Sequence, residues 1–260
     1  MKKVIIITGA NSGIGLKTAI YLSKLDYIVY GTGRKDFKTN DFNYIRADVN
    51  DEKKMNEVFK EIYLKEKRID ALINNAGIGI AGAIEDTSSA NIENICNTNL
   101  ISVFKLSKLI IPYLKESKGH LINISSVGGI IPLPYQSIYS ATKAAVDVFS
   151  RALANELKPF KVHVCSILPG DTKTNFTSAR VIDDNRNENT KSMKKSVDKM
   201  AKDEQNGMDA IKVSKVIHNV LKSKRNILRV SVGFSPKLIV FLSRIFPLRF
   251  INYIVYKIYC

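Results

Sequence analysis

The sequence predicts an α/β fold: one doubly wound parallel sheet with helices on both faces, followed by a helical lid and tail. Three observations predict it. Short apolar runs alternate with segments of helical spacing along most of the chain. The runs are nearly continuous in Val and Ile, as in "VIIIT" (Val4 to Thr8), and strands buried on both faces read that way. The first run closes on a glycine-rich turn that opens the first helical segment.

The elements follow in order. After the Val4–Thr8 strand, "IGLKTAIYLSKL" (Ile14 to Leu25) has helical spacing, and "YIVYGT" (Tyr27 to Thr32) is a second strand. "NYIRADV" (Asn43 to Val49) is a more polar third strand, and "EKKMNEVFKEIYLKE" reads as a helix. "IDALINNAG" is a strand ending at Gly77, "NLISVFKLSKLIIPYL" a long helix, and "HLINISS" a strand ending at Ser126. "SATKAAVDVFSRALANELK" is a helix, and "KVHVCSILPG" is a strand closed by Pro169-Gly170. From Asp171 to Gly207 the chain turns polar, with a helical patch "KSMKKSVDKMAK", and reads as a lid over a site. "DAIKVSKVIHNVLKSK" resumes helix and Ile227 to Gly233 resumes strand. No internal repeat is present.

Length and composition bound the function. The 260 residues suffice for one large catalytic domain, 1–260, and are marginal for two; 45% hydrophobic content excludes wholesale disorder. Cys96, Cys165 and Cys260 lack metal or redox spacing and fit a reduced cytoplasm. His120, His163 and His218 are too dispersed in sequence to suggest a metal. The apolar run after Met1 is too short for a signal peptide or a membrane span. The net charge of +16 favours an anionic partner, such as a phosphorylated cofactor or a membrane surface, or is a composition bias. No nucleic-acid motif appears, and no nucleic-acid partner is expected.

"TGANSGIG" (Thr8 to Gly15) is a phosphate turn in kind. Gly9, Gly13 and Gly15 let the backbone approach a pyrophosphate without an intervening Cβ, and the helix behind points free N–H groups at the anion. Its G-x-x-x-G-x-G spacing departs from the G-x-G-x-x-G fingerprint, in the same strand–turn–helix context. Where the second strand ends, an acid would bind a ribose 2′-OH and a base a 2′-phosphate. Arg34 and Lys35 stand there and the usual acid does not, which favours NADP(H) over NAD(H), unless the two are only a solvated charge pair. Asp48, ending the third strand beside Val49, accepts from an adenine amine or caps the next helix.

Tyr139 and Lys143 stand i and i+4, on one face of a helix. A free phenol titrates near ~10, and a neighbouring ammonium stabilises the phenolate. By itself the pair is common by chance. Ser126 ends a strand, where ligand crevices open in such sheets, although "SSVGG" is equally good turn chemistry.

Taken in order, "TGANSGIG", "NNAG" (Asn74 to Gly77), Asn99 in "NTNL", Ser126 in "NISSVGG", "YSATK", and "PG" (Pro169-Gly170) with Thr174 resemble the short-chain dehydrogenase/reductase superfamily in its single-domain, Rossmann-type form. The matches cover roughly Val4 to Thr174. The resemblance implies an oxidoreductase acting on CH–OH groups with NAD(P). It implies that Tyr139 exchanges a proton with the substrate oxygen and Ser126 positions that oxygen. Lys143 would lower the tyrosine pKa and hold the nicotinamide ribose, and Asn99 would anchor a water linking Lys143 to solvent. The implied cofactor contacts are Gly9, Asn11, Ser12, Gly13, Ile14, Gly15, Arg34, Lys35, Asp48, Val49, Asn75, Ala76, Gly77, Tyr139, Lys143, Pro169, Gly170, Thr172 and Thr174. No metal is implied.

The chain departs from the family at its end. Many members close with a strand and a "DGG"-like segment that seals a tetramer; here an apolar, basic tail runs over residues 236–260. A homodimer is therefore expected over a tetramer. The ending is similar to relatives that act on steroids, retinoids and other lipophilic alcohols, which implies a hydrophobic substrate such as a hydroxysteroid or bile acid. The alternatives are a 3-oxoacyl-thioester reductase and a non-catalytic NADP(H)-binding sensor or scaffold. Pro236 is placed to start a helix and Pro247 to break it. The tail either covers the pocket or a dimer interface, or lies on an anionic membrane as an amphipathic pair. The expected location is cytoplasmic, with or without that peripheral contact.

Overall fold

A computed structural model describes residues 2–183 and 190–260. Seven strands form its central sheet: β1 (Val4–Thr8), β2 (Ile28–Gly33), β3 (Asn43–Arg46), β4 (Ala71–Asn74), β6 (His120–Ile124), β7 (His163–Pro169) and β11 (Arg229–Val232). Their order is β11-β7-β6-β4-β1-β2-β3, and every pairing is parallel. The chain works outward from β1 to β2 and β3, then returns to β1's other side with β4. That reversal leaves a crevice at the C-terminal ends of β1 and β4, where open α/β sheets bind ligands.

The apolar run Val4–Ile7 of β1 is explained by the layers on either side. Successive side chains point to opposite faces. Val4 and Ile6 enter one core cluster with Met55, Phe59, Leu106, Ile110 and Leu153, under α2 (Glu52–Glu66), α4 (Ser102–Ser117) and α5 (Ser137–Leu157). Ile5 and Ile7 enter the other with Ala19, Leu22, Val213 and Ile217, under α1 (Gly13–Ser23) and α7 (Ala210–Lys222). Each fully buried Ile or Leu contributes about 1.5–3 kcal/mol, so neither layer tolerates a polar residue at positions 4–7; the buried Thr8 that ends β1 has its hydroxyl hydrogen-bonded.

Several boundaries differ from the sequence expectation. The third strand stops at Arg46, because the chain turns through Asp48, whose carboxylate accepts from Asn50 N at 2.9 Å. The cap of α2 is Asp51, accepting from Lys54 N at 2.9 Å, so Asp48 is not that helix's N-cap. A short helix α3 (Ser89–Cys96) and a π turn (Asn97–Ile101) precede α4, where one continuous helix from Asn99 was expected. His120 and His163, dispersed in sequence, are register partners on β6 and β7 and stack at 4.8 Å. Among the described residues no cluster of three metal-ligating side chains forms.

Residues 171–207 hold more structure than one helical patch. β8 (Thr172–Lys173) pairs with β10 (Met208–Asp209), and β5 (Ile80–Ala81) pairs with β9 (Val181–Ile182). Between them runs α6 (Thr190–Gln205). The part of the expected lid at 184–189 lies outside the described residues. The tail forms α8 (Phe234–Leu242) and α9 (Leu248–Tyr259), with Pro236 inside the first turn of α8 and Pro247 as the N-cap of α9. Among the described residues no helix is long and apolar enough to cross a membrane.

Candidate active site

The crevice begins at the phosphate turn. Gly9 and Gly13 take left-handed backbone at φ +65° and +53°, which glycine adopts without strain. A Cβ on Gly15 would stand 2.3 Å from Gly9 O and 2.4 Å from Asn75 Nδ2, so α1 packs directly on the turn. Ser12 precedes α1 in extended backbone and its side chain caps nothing. The helix therefore presents its first N–H groups and positive dipole end to the crevice. Asn75 braces the turn through Nδ2 to Thr8 O at 2.8 Å and Gly9 O at 3.2 Å. Thr8 Oγ1 accepts from the backbone N–H of Asn75 and Ala76, each at 3.0 Å. Thr174 reaches the same place from the other side, its Cβ 3.4 Å from where a Gly13 Cβ would lie. This is a cradle that side chains would fill, and it fits a dinucleotide pyrophosphate.

At the end of β2, a Cβ on Gly33 would meet Tyr44 Oη at 2.5 Å and Asn11 Oδ1 at 2.8 Å. Arg34 and Lys35 follow and are exposed. The corner holds a third cation that the sequence reading did not include. Arg46, ending β3, donates from Nε to Arg34 O at 3.1 Å and pairs with Asp36 at 3.1 Å. An acid thus stands near the ribose position after all, but it is held by Arg46. Val49 is buried beneath this corner, and Asp48 is half-buried in its turn.

The reacting corner lies at the C-terminal end of β6 and the first turns of α5. Ser126 faces the Tyr139 hydroxyl closely enough to favour its ionised form. Ser126 accepts from Gly128 N at 3.0 Å, which fixes its rotamer. Lys143 lies below, its Nζ donating to Ile124 O at 2.9 Å and standing 5.8 Å from the centre of the Tyr139 ring. Ser125 locks strand to helix by donating to Lys143 O at 2.7 Å. Asn99 sits in the π turn, its two amide arms both taken by Ile78 N and O at 2.8 and 2.9 Å. A Cβ on Gly77 would lie 3.2 Å from Asn99 Oδ1 and 3.6 Å from Lys143 Nζ, so these three converge. The structure thus brings Ser126, Tyr139, Lys143, Asn99 and Gly77 to one corner, with Pro169 ending neighbouring β7, Gly170 next to it, Thr172 opening β8 and Thr174 following β8.

Electrostatics at this corner run against the expectation for Tyr139. Burial pushes its phenol up to about 12, opposed by the neighbouring Ser126 hydroxyl; Glu204 and Asp171 raise it further and Arg180 lowers it. Burial alone pulls Lys143 down to about 8. Lys143 thus remains a cation at neutral pH despite its burial, and the phenol is set by its own burial and by Ser126 rather than by the lysine.

Five further residues cluster on this side of Tyr139, none carrying a motif. Phe176 lays its ring at 5.8 Å from that of Tyr139. Arg180, with its side chain 1% exposed, pairs with Glu204 of α6. Gln136, with its amide turned, accepts from Arg180 Nε at 3.0 Å and Nη2 at 3.2 Å. Thr177 donates to the other Glu204 oxygen. The segment after β8, the start of α5 and the lid helix α6 are therefore knotted together over the phenol. A cavity of about 400 Å³ opens beside this knot, between Gly82–Glu85, Pro134, Tyr135, Ser137 and Cys260.

Residues 3–185 match the short chain dehydrogenase family. The chain belongs to that family. It is an oxidoreductase that acts on CH–OH and keto groups with a nicotinamide cofactor. Among relatives, it is 38% identical over 236 residues to the 3-ketodihydrosphingosine reductase of Bacteroides thetaiotaomicron, covering 89% of this chain and 88% of that one. A short-chain dehydrogenase structure from Streptomyces avermitilis superposes with a TM-score of 0.82 at 27% identity, covering 94% and 92% of the two chains. ElxO, solved with NADP bound, superposes with a TM-score of 0.75 at 26% identity, covering 89% and 97%.

Proposed function

We propose that this short-chain dehydrogenase, a single catalytic domain with residues 171–207 as its substrate lid, reduces a lipophilic ketone with NADP(H) in preference to NAD(H). The observation that carries the reading is the corner where Ser126 faces the Tyr139 hydroxyl above Lys143, with the Phe176 ring laid against the phenol. Tyr139 keeps its proton throughout the neutral range and donates it to the carbonyl oxygen that Ser126 holds. Lys143 holds the ribose and keeps a positive charge under the forming phenolate. Asn99 fixes the loop through Ile78, and so the floor beneath Lys143. The bound cofactor supplies the hydride. Gly9, Asn11, Ser12, Gly13, Ile14 and Gly15 cradle its pyrophosphate, and Asn75, Ala76 and Gly77 line the adenosine side with Asp48 and Val49. Pro169, Gly170, Thr172 and Thr174 flank its nicotinamide end. Arg34 and Lys35, with Arg46 behind them, take the 2′-phosphate by charge-assisted hydrogen bonds.

The substrate we favour is a linear long-chain ketone over a steroid or bile-acid ketone, because the Bacteroides relative is named for a 3-keto sphingoid. A second reading, 3-oxoacyl-thioester reduction on an acidic carrier, is favoured by the net charge of +16. The proposed assembly is a dimer, since α8 and α9 stand where other members carry the tetramer-sealing segment; a tetramer in sedimentation velocity would contradict it. The deciding experiment follows NADPH oxidation with 3-ketodihydrosphingosine, a 3-ketosteroid and a 3-oxoacyl thioester. We expect the first to give the highest kcat/KM. No oxidation with any of them, alongside tight NADPH binding, would leave a cofactor-bound sensor or scaffold as the reading.

A further inference from the structure

The tail carries an unpartnered apolar surface that the reaction does not use. α8 and α9 turn one stripe inward: Val240 is buried, as is Val255, flanked one turn either side by half-buried Ile251 and Tyr259. Tyr259 stands beside the Asp203 carboxylate of the lid helix, and Lys195 of that helix donates to Cys260 O at 2.8 Å. The other faces stand in solvent: Phe241 is 57% exposed, Ile245 60%, Leu248 72% and Tyr253 58%. Contiguous exposed apolar surface of this kind marks an interaction site.

Charge decides what covers it. From residue 210 to 260 the chain has ten lysines and arginines and no aspartate or glutamate. Lys237, Arg244, Arg249 and Lys257 all lie among the exposed apolar side chains. A twofold interface between copies would set this acid-free surface against itself, with like charges opposed. An anionic bilayer offers the complement: acyl chains for the apolar residues and phosphates for the cations. Neither helix is long enough to span, so the geometry is that of a pair lying in the interface plane.

We infer that α8 and α9 dock the protein on an anionic lipid surface and place the mouth of the active site against it. The tail adjoins that mouth at two points. Pro236 packs on Gly170, where a Cβ would meet its Cγ at 2.3 Å. Cys260 lines the cavity beside Tyr135 and Ser137, two residues before Tyr139. A ketone dissolved in the bilayer then reaches Tyr139 without crossing water. The docking stands without the proposed function; the delivery step rests on the lipophilic-ketone reading.

The test is flotation of the full-length protein with phosphatidylglycerol vesicles and with phosphatidylcholine vesicles. Binding is expected on the first and at least tenfold weaker on the second or in 0.5 M salt. Arg244→Gln with Arg249→Gln should weaken it about 30-fold, at about fivefold per cation. Ile245→Asp with Leu248→Asp should abolish it, leaving the oligomeric state and NADPH binding unchanged. No flotation of the wild type, equal binding to both lipids, or conversion of a dimer to monomers by the aspartates would each overturn the docking, the last by making the patch a contact between copies. For delivery, the aspartate variant should lose at least tenfold in turnover of a vesicle-embedded long-chain 3-ketone while keeping its turnover of ethyl acetoacetate. Equal effects on both would overturn delivery. If the wild type reduces neither ketone yet floats, the ketone-reductase reading and delivery fall together and the docking stands.

Discussion

Lys143 supplies the most quantitative prediction. The side chain is 6% exposed. Its burial lowers the folded-state pKa from 10.5 to about 8. Below pH 8 both folded and unfolded chains carry this proton, and the folded chain bears the cost of a buried charge. At about 1.36 kcal/mol per unit that cost is about 3 kcal/mol. Between pH 8 and 10.5 the unfolded chain holds the proton and the folded one does not, so stability rises with pH and the cost disappears. Lys143→Met removes the titration altogether. It also removes the bond to Ile124 O, a loss of about 1–3 kcal/mol; the part of that loss that changes as the ammonium loses its proton is already contained in the lowered pKa. The stability difference between wild type and Lys143→Met should therefore shift by about 3 kcal/mol in favour of the wild type from pH 7 to pH 10.5. Urea unfolding of the cofactor-free proteins at half-unit steps measures it, and the subtraction cancels the tyrosines and cysteines that titrate in the same window. A difference flat across pH would refute the buried-cation account of Lys143.

Other perturbations probe the neighbouring parts. Gly15→Ala puts a methyl 2.3 Å from Gly9 O, and should weaken NADPH binding at least tenfold in a fluorescence titration, the turn having to open. Arg34→Ala should weaken NADP(H) by about ten- to a hundredfold, the range of a charge-assisted hydrogen bond, and NAD(H) by less than threefold; equal loss of both in the same titration would undo the 2′-phosphate reading. Arg180→Met leaves the half-buried Glu204 carboxylate without its cation and should cost about 3–5 kcal/mol in urea unfolding. Adding Glu204→Gln should restore most of that stability, and a double variant no better than the single would show that the pair is not what holds the lid.

The legible parts of this chain were those where one physical requirement dominates a run of residues. β1 is legible because both faces are covered and Val4 to Ile7 must all be apolar, with Thr8 marking the turn. The phosphate turn was legible because glycine alone relieves the contacts at Gly9 and Gly15. Asp48 and Asp51 are both good caps three residues apart, and only the geometry separates them. The two-residue strands β5, β8, β9 and β10 are too short to leave a period. The π turn at Asn99 looks like helix in sequence, since its spacing differs by a single extra residue. Arg180, Glu204 and Gln136 carry no signal at all: 24 and 44 positions separate Arg180 from its partners. The rise in the Tyr139 pKa was equally hidden, because the lysine is visible in "YSATK" and the burial is not.

The measurement that bears most directly on the central claim is turnover by Tyr139→Phe. The substitution removes one oxygen and the proton it holds, and leaves the ring against Phe176 and the glycine cradle intact. NADPH oxidation with a ketone that the wild type reduces should fall by about 10²–10⁴-fold, with NADPH affinity changed by less than twofold. Undiminished turnover, or loss of activity that merely follows loss of NADPH binding, would contradict the assignment of Tyr139 as the proton donor.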